Sequence, residues 1–286
     1  GISVFSSQGP ADGLAIKPEV TAIGGQVYSL TNNNEYMSMS GTSMATPYVA
    51  GVVVNYMNYL DEKGISYTPA TIKSALMNTA EIKDHSGLAY AVTKQGAGMV
   101  SLPNLIKQEL VLSYNNKAKI ELGEIGPSTQ INLDLKKLTE DSLDVNVSFT
   151  DVMTFDAENN ETIVLEGASI SADTTSFNLA DENASITVNL NIPENHKSYV
   201  NGFIIVEANG RSVSIPYLGY AGDYKNLPIF DKNLNDPDSI FKEQGLFSQV
   251  FIDKFRYGLL KQGGKDMDPD PVSYTHLRAH ETEADL

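Results

Sequence analysis

The sequence contains no cysteine in its 286 residues. Without cysteine, the protein has neither a disulfide framework nor a zinc site built from thiolates. This absence is compatible with a cytoplasmic protein and with a secreted bacterial protein that lacks disulfides. No run approaches the roughly 18 apolar residues of a membrane-spanning helix, so no membrane span is expected. No signal peptide is recognisable, and because the first residues read as the middle of a fold, this says nothing about location.

Basic residues are scarce. The chain has 20 lysines and arginines against 36 aspartates and glutamates, which gives a formal net charge of −16. Residues 1–106 are nearly balanced, with 7 acidic and 5 basic side chains, so most of the negative charge follows them. An acidic surface repels the phosphate backbone of nucleic acids. We therefore expect a solvated acidic surface and no nucleic-acid partner.

Histidine is also rare, with four in the chain and none among the first 42 residues. His85 and His196 lie in short polar runs that are typical of loops. We expect both to be solvated and to have no catalytic role. His276 and His280 lie in the C-terminal tail, where no catalytic role is expected either.

The run Gly41-Thr42-Ser43-Met44-Ala45-Thr46-Pro47 places a small hydroxyl side chain between a glycine and an apolar stretch with helical spacing. At the start of a helix, unpaired backbone N–H groups and the helix dipole favour a developing oxyanion. A serine also needs a base within hydrogen-bonding reach before it acts as a nucleophile. A lone serine before a helix is most often a cap, but the full run favours a nucleophile at Ser43.

The seven residues resemble the serine motif of the subtilisin family, G-T-S-M-A-[ST]-P. Other stretches are similar to the same family and, in the β-rich part, to its lactocepin and C5a-peptidase group of Gram-positive cell-envelope proteinases. These stretches are 5–10 with 17–22, 68–80, 95–98, and 215–224 with 227–231. The resemblance covers about residues 1–260 and is most specific at the serine motif.

The resemblance implies a secreted or cell-wall associated serine endopeptidase that acts on proteins or peptides. Ser43 would form the acyl-enzyme, and Thr42 is the candidate for oxyanion or substrate binding. In subtilisin the catalytic Asp and His both precede the serine in the chain. We therefore expect the Asp, the His and the oxyanion Asn to lie outside this chain, and the chain alone to be inactive.

No cofactor is expected, and no metal-binding residue is assigned. A structural calcium ion at an unknown site remains open, because carboxylate and amide oxygens suit that ion. The candidates are the Asp-Glu-Asn run at 181–183 and the Asp-Pro-Asp run at 236–238. Neither has a defined ligand spacing, so we interpret both as solvated turns.

The character of the chain changes near residue 109. We predict an α/β fold over 1–108, the C-terminal part of a subtilisin-like parallel-sheet domain, and an all-β fibronectin-III-like sandwich over 109–222. Residues 223–270 are interpreted as a linker and the start of a further β unit. Residues 271–286 resemble the translation of a sequencing-library adapter and are interpreted as a non-native tail.

Local signals predict several elements. A helix is expected from about residue 43 to 60; it is apolar almost all round, which indicates a buried helix. A second helix is expected after an N-cap at Thr68, with Pro69 in its first position. Residues 2–5 are expected to form a strand, and Asn209-Gly210 is typical of a hairpin turn.

The N-terminal part is expected to be the less stable of the two. Half a parallel sheet exposes an unpaired edge and its apolar face. We expect residues 1–106 to be unstable or aggregation-prone in isolation, whereas residues 111–220 fold.

Two other functions compete with the protease. In the first, the sandwich is a non-catalytic binding module and the N-terminal part is a degenerate remnant, although the intact serine motif argues against decay. The gene sequence upstream of residue 1 would distinguish the two, because a reading frame with an Asp-Gly motif and a His-Gly-Thr motif there favours the protease. The second is another serine hydrolase such as an esterase, but Ala45 stands where its G-x-S-x-G motif has a glycine.

Overall fold

The computed structural model describes residues 1–156, 161–226, 261–262 and 265–266. The chain divides into two units, Gly1–Lys225 and Asn226–Leu286. In the second unit, the described residues form one antiparallel strand pair. All of the predicted tail, most of the predicted linker and one calcium candidate, the run at 236–238, therefore lie outside the described residues.

The helices that the structure describes all lie in the first unit. They are α1 Thr42–Glu62, α2 Pro69–Asn78, α3 Val92–Gln95 and α4 Leu102–Ile106, with 3-10 turns at Asp12–Leu14 and Asn32–Asn34. The helix predicted after Thr68 is confirmed, and its capping follows the sequence signal. The Thr71 amide donates to Thr68 Oγ1 at 3.2 Å, and the Thr68 amide donates to Thr71 Oγ1 at 2.8 Å. Two amides without intrahelical acceptors are thereby satisfied.

The N-terminal segment, residues 1–108, contains short antiparallel hairpins. Its strands are β1 Val27–Leu30, β2 Tyr36–Met39, β3 Asp84–His85 and β4 Leu88–Ala89, paired β1 with β2 and β3 with β4. The expected parallel sheet is not formed among the described residues of this segment. Its parallel pairing is limited to a bridge between Thr21 and Met99.

The strand expected at residues 2–5 is absent, and Val4 is fully exposed. A strand of a parallel sheet is normally covered on both faces and paired along its length. Among the described residues, nothing supplies that cover or that pairing to residues 2–5. The apolar run alone was therefore an insufficient signal for a strand.

Residues 109–222 form a β-sandwich. Its strands are β5 Leu110–Ser113, β6 Ile120–Ile125, β7 Ser128–Lys137, β8 Leu143–Phe149, β9 Met153–Asp156, β10 Glu161–Val164, β11 Ser169–Ala172, β12 Ser176–Leu179, β13 Asn183–Asn191, β14 Tyr199–Ala208 and β15 Arg211–Ala221. A four-stranded sheet has the order β11-β13-β7-β5. A seven-stranded sheet has the path β10-β9-β14-β15-β6, with β8 paired to β14 and β12 paired to β8. The pairing of β15 with β6 is parallel, and the other sandwich pairs are antiparallel.

One apolar core fills the space between the two sheets. Strand β7 alternates buried and exposed residues along its second half, as expected for a strand with one face on a core. Its Leu133 and Leu135 lie in the same cluster as Val145 of β8 and Ile204 of β14. The predicted hairpin turn is confirmed, because Asn209 and Gly210 join β14 to β15 with φ values of 51° and 74°.

Strands β14 and β15 depart from this alternation. Every residue of β15 from Val213 to Ala221 is buried. One face lies on the sandwich core, and the other is covered by the N-terminal segment, since Leu218 and Phe203 cluster with Ile16 and Val92. The N-terminal segment and the sandwich therefore share buried apolar surface within Gly1–Lys225.

Helix α1 is only partly covered. Its buried residues are Val52, Tyr56 and Leu60, which pack against α2 and α4. Other apolar positions such as Val54 are exposed. The expectation of a helix buried all round is thus wrong for this structure, because the described residues cover one face of α1 and leave the rest open.

Candidate functional site

Ser43 is the second residue of α1. The preceding Gly41 is extended, and no side chain caps the helix start. The Met44 amide donates to the Gly41 carbonyl oxygen at 3.1 Å, which closes the first turn. The earliest amides of a helix have no intrahelical acceptor, so an uncapped start leaves them available to an anionic group.

A neighbouring glycine segment fixes this helix start. The Gly41 amide donates to the Gly24 carbonyl oxygen at 2.8 Å, and the Gln26 amide donates to Ser40 Oγ at 2.8 Å. A Cβ atom on Gly24 would lie 2.6 Å from the Gly41 carbonyl oxygen and 3.2 Å from the Ala45 Cβ. Only glycine allows this approach, a role that the glycine pair in the sequence did not by itself reveal.

A cleft of about 600 Å³ opens beside the start of α1. Thr42 and Ala45 line it from the helix, and Gly24, Lys83 and Tyr90 line it from other segments. Ser43 is exposed but is not part of the lining itself, so it lies next to Thr42 at the edge of the cleft. The cleft is therefore lined by the residue before Ser43, and Ser43 itself is exposed to solvent.

The two histidines of the first unit have other neighbours. His85, at the end of β3, stacks on Tyr90 with ring centroids 6.4 Å apart. The Nε2 atom of His196 lies 3.1 Å from Thr154 Oγ1. Over the described residues, the Ser43 hydroxyl has no hydrogen-bonding partner. The structure thus presents an exposed hydroxyl and open helix amides without a base that contacts them.

The lysine that lines the cleft is paired with a carboxylate. The Lys83 Nζ atom lies 2.8 Å from Glu81 Oε2. This hydrogen bond lowers the pKa of the Glu81 carboxyl from its ordinary value. Lys83 is therefore held by a carboxylate and is not a free base.

No site for a metal ion is evident in the part of the chain that the structure describes, where no three His, Asp or Glu side chains converge. The calcium candidate at 181–183 falls within the described residues. Its Asp181 and Glu182 lie in the turn between β12 and β13. There Glu182 Oε1 lies 3.2 Å from Lys136 Nζ.

The helices of the described residues include none with the length and apolar character of a membrane span.

Comparison with known proteins finds a family match in the N-terminal segment. Residues 1–101 match the model of the subtilase family, peptidase S8. The chain is also similar to the PII-type proteinase of Lacticaseibacillus paracasei, with 30% identity over 262 residues. That match covers 80% of this chain and 14% of the relative.

Two further similarities cover most of this chain. The C5a peptidase of Streptococcus pyogenes serotype M1 is 24% identical over 257 residues, which cover 82% of this chain and 22% of that protein. Among solved structures, tripeptidyl peptidase 2 matches 82% of this chain and 23% of that chain, at 17% identity and a TM-score of 0.40. The chain therefore spans about one seventh to one fifth of these curated relatives. The resemblance to subtilisin-like cell-envelope proteinases that the sequence motifs indicated is confirmed by the family match and by the similar proteinases.

Proposed function

We propose that this chain is the serine-bearing part of a subtilisin-type serine endopeptidase, with Ser43 as its nucleophile. The observation that carries the proposal is the position of Ser43, exposed at an uncapped helix start beside a cleft. The subtilase match over residues 1–101 supports it, and so do the relatives named proteinase and peptidase. The substrates are proteins or peptides.

The proposed chemistry is acyl transfer. The Ser43 Oγ atom attacks the peptide carbonyl carbon while its proton passes to an imidazole. The oxyanion that forms is stabilised by the open amides at the start of α1, in which Thr42 also takes part. The C–N bond then breaks as the imidazolium protonates the leaving amine. Water attacks the ester, releases the acid and restores the serine.

The imidazole must come from a histidine other than His85 and His196. Both follow Ser43 in the chain and contact other groups. We therefore assign the histidine, its aspartate and the oxyanion asparagine to a longer polypeptide, and we expect this chain alone to be inactive. The same longer protein would be secreted or associated with the cell wall.

The division of the chain is part of the proposal. Residues 1–108 would be the C-terminal part of the peptidase domain, and residues 109–222 a fibronectin-III-like sandwich that serves as a scaffold or substrate-access module. The observed two-sheet sandwich supports the second assignment at the level of architecture. Residues 223–270 and 271–286 keep their interpretation as linker with further β unit and as non-native tail.

Labelling with a fluorophosphonate tests the nucleophile, because this reagent modifies serines that an adjacent base activates. A longer polypeptide that supplies the histidine and aspartate should be labelled, and Ser43→Ala in it should lose at least about 100-fold of the labelling. Ser38→Ala changes another exposed serine, in β2, and should leave labelling unchanged.

The isolated chain of 286 residues should show no labelling above its own Ser43→Ala variant. Clear labelling of the isolated chain would overturn the assignment of the base to another part of the polypeptide. Labelling of the longer polypeptide that persists in Ser43→Ala would overturn the nucleophile itself.

A further inference from the structure

One asparagine of the N-terminal segment is bonded to both sheets of the sandwich. Asn78, the last residue of α2, is fully buried. Its Nδ2 donates to the Ser214 carbonyl oxygen of β15 at 3.1 Å. Its Oδ1 accepts from the Leu112 amide of β5 at 3.0 Å. A single side chain therefore ties α2 to one strand of each sheet.

The two backbone groups lie where the sheets offer no strand partner. Strand β5 is at the edge of the four-stranded sheet. Strand β15 has β14 on one side, but β6 pairs with it only from Tyr217 to Ala221, beyond Ser214. Buried backbone groups without a partner are costly, so Asn78 satisfies two groups that the sheets leave open.

Helix α2 carries this attachment to the serine helix. Ile72 and Leu76 of α2 lie in one buried cluster with Val52, Tyr56 and Leu60 of α1. Because buried side chains are closely packed, a shift of α2 displaces the helix that carries Ser43. The path from the sandwich to Ser43 therefore runs through Asn78, the α2 side chains and α1.

Other contacts hold the two parts together without Asn78. Asn201 of β14 accepts from the Val92 amide at 3.0 Å and donates to the Met153 carbonyl oxygen at 3.2 Å. Lys119 Nζ lies 3.0 Å from Glu19 Oε1 and 2.8 Å from Glu121 Oε1. Loss of Asn78 should therefore loosen α2 and α1 while the sandwich stays attached.

We infer that Asn78 is a positioning residue, through which the sandwich fixes the place of α2 and thereby of the Ser43 helix. Its consequence for catalysis rests on the proposed function, whereas the positioning does not. The sandwich would then support the proteolytic site directly instead of being a tethered module beside it.

Hydrogen exchange on the full 286-residue chain tests this inference without requiring activity. Asn78→Leu should lower the protection factors of the α1 and α2 amides by at least about tenfold, because both hydrogen bonds are lost. Amides of β7 and β8, in the middle of the sandwich, should keep their protection. Failure of the labelling experiment would leave this result unaffected, so the two proposals fail separately.

A conservative variant separates positioning from packing. In Asn78→Asp a protonated carboxyl can still donate to the Ser214 carbonyl and accept from the Leu112 amide, whereas a carboxylate cannot donate. Burial raises the pKa of such a carboxyl. Protection in α1 should therefore approach that of the unsubstituted chain at pH 5 and fall toward that of Asn78→Leu at pH 8.

Two controls complete the design. Asn55→Ala removes an exposed asparagine of α1 whose side chain donates to the Gly51 carbonyl oxygen of its own helix, and should leave protection unchanged. Asn201→Leu should reduce protection around α3 and not among the hydrogen-bonded amides of α1 after its first turn. Equal losses throughout the first unit in Asn78→Leu, or no recovery of Asn78→Asp at pH 5, would overturn the inference.

Discussion

The N-terminal segment and the sandwich differ in how far they bury their apolar side chains. In the sandwich, side chains such as Leu133 and Val145 are fully buried between the sheets. In the N-terminal segment, Tyr28 is 71% exposed and Leu30 69% exposed, although both lie in a strand. Apolar burial stabilises a fold in proportion to the area removed from water. We therefore expect the sandwich to contribute most of the stability of the first unit.

Cores of this kind can be tested by truncation, and the largest effect is expected there. Leu133→Ala should lower the free energy of unfolding by about 2–5 kcal/mol, because a cavity remains in a closely packed core. Val54→Ala removes an apolar group from the exposed side of α1 and should change it by less than about 0.5 kcal/mol. Urea denaturation followed by circular dichroism measures both. Similar losses in the two variants would break the contrast between the regions.

Much of the local structure could be predicted from the sequence, whereas the contacts between the N-terminal segment and the sandwich could not. The cap of α2 and the turn at Asn209-Gly210 each depend on a few neighbouring residues, so the sequence pattern predicted both. The bonds of Asn78 join groups 34 and 136 positions apart, and no local pattern encodes them. One sequence pattern does indicate this contact. The run Ile215-Pro216-Tyr217-Leu218 does not alternate between apolar and polar residues, which is typical of a strand covered on both faces.

The candidate site shows the same division between local and distant information. The motif located Ser43 and Thr42 at the start of α1, where the structure has them. Their chemical roles remain predictions, because they depend on groups that do not contact Ser43 in the described residues. The contribution of Gly24 depends on a contact across 17 residues of chain, and the sequence showed only a glycine pair.

A charged cluster joins the two regions, and its loss should have an intermediate effect. Lys119 of the sandwich, whose side chain is only 11% exposed, contacts both Glu19 and Glu121. Burial raises the pKa of Glu19, but Lys73 and Lys119 lower it more, and the net direction is down. Burial also raises the pKa of Glu121, but Lys119, the Ile16 amide and Lys117 lower it more, so its net direction is down as well. The stabilisation from these carboxylates is therefore present above about pH 4.5 and is lost as pH falls through their lowered values.

Lys119→Met should lower the free energy of unfolding at pH 7 by about 1.5–3 kcal/mol, the range for hydrogen bonds to charged groups. The difference from the unsubstituted chain should shrink as pH falls through the lowered pKa values of Glu19 and Glu121, because the carboxylates then become protonated. Lys136→Met, which breaks the exposed pair with Glu182, is the matched control and should cost less than about 1 kcal/mol. A loss in Lys119→Met that stays the same as pH falls through these values would assign it to packing.

The exposed hairpin should have the smallest effect on stability and the clearest effect on association. Tyr28 and Tyr36 stack in the open with ring centroids 5.4 Å apart, and Leu30 lies beside them in β1. Leu30→Ser should change the free energy of unfolding by less than about 0.5 kcal/mol, because little apolar surface is removed from water there. It should nevertheless reduce light scattering of concentrated solutions, since exposed apolar strands promote association. Thr31→Ser, at the adjacent position, controls for the substitution itself. If Leu30→Ser destabilised the chain as strongly as Leu133→Ala, the hairpin would have to be covered in solution, and the contrast between the two regions would disappear.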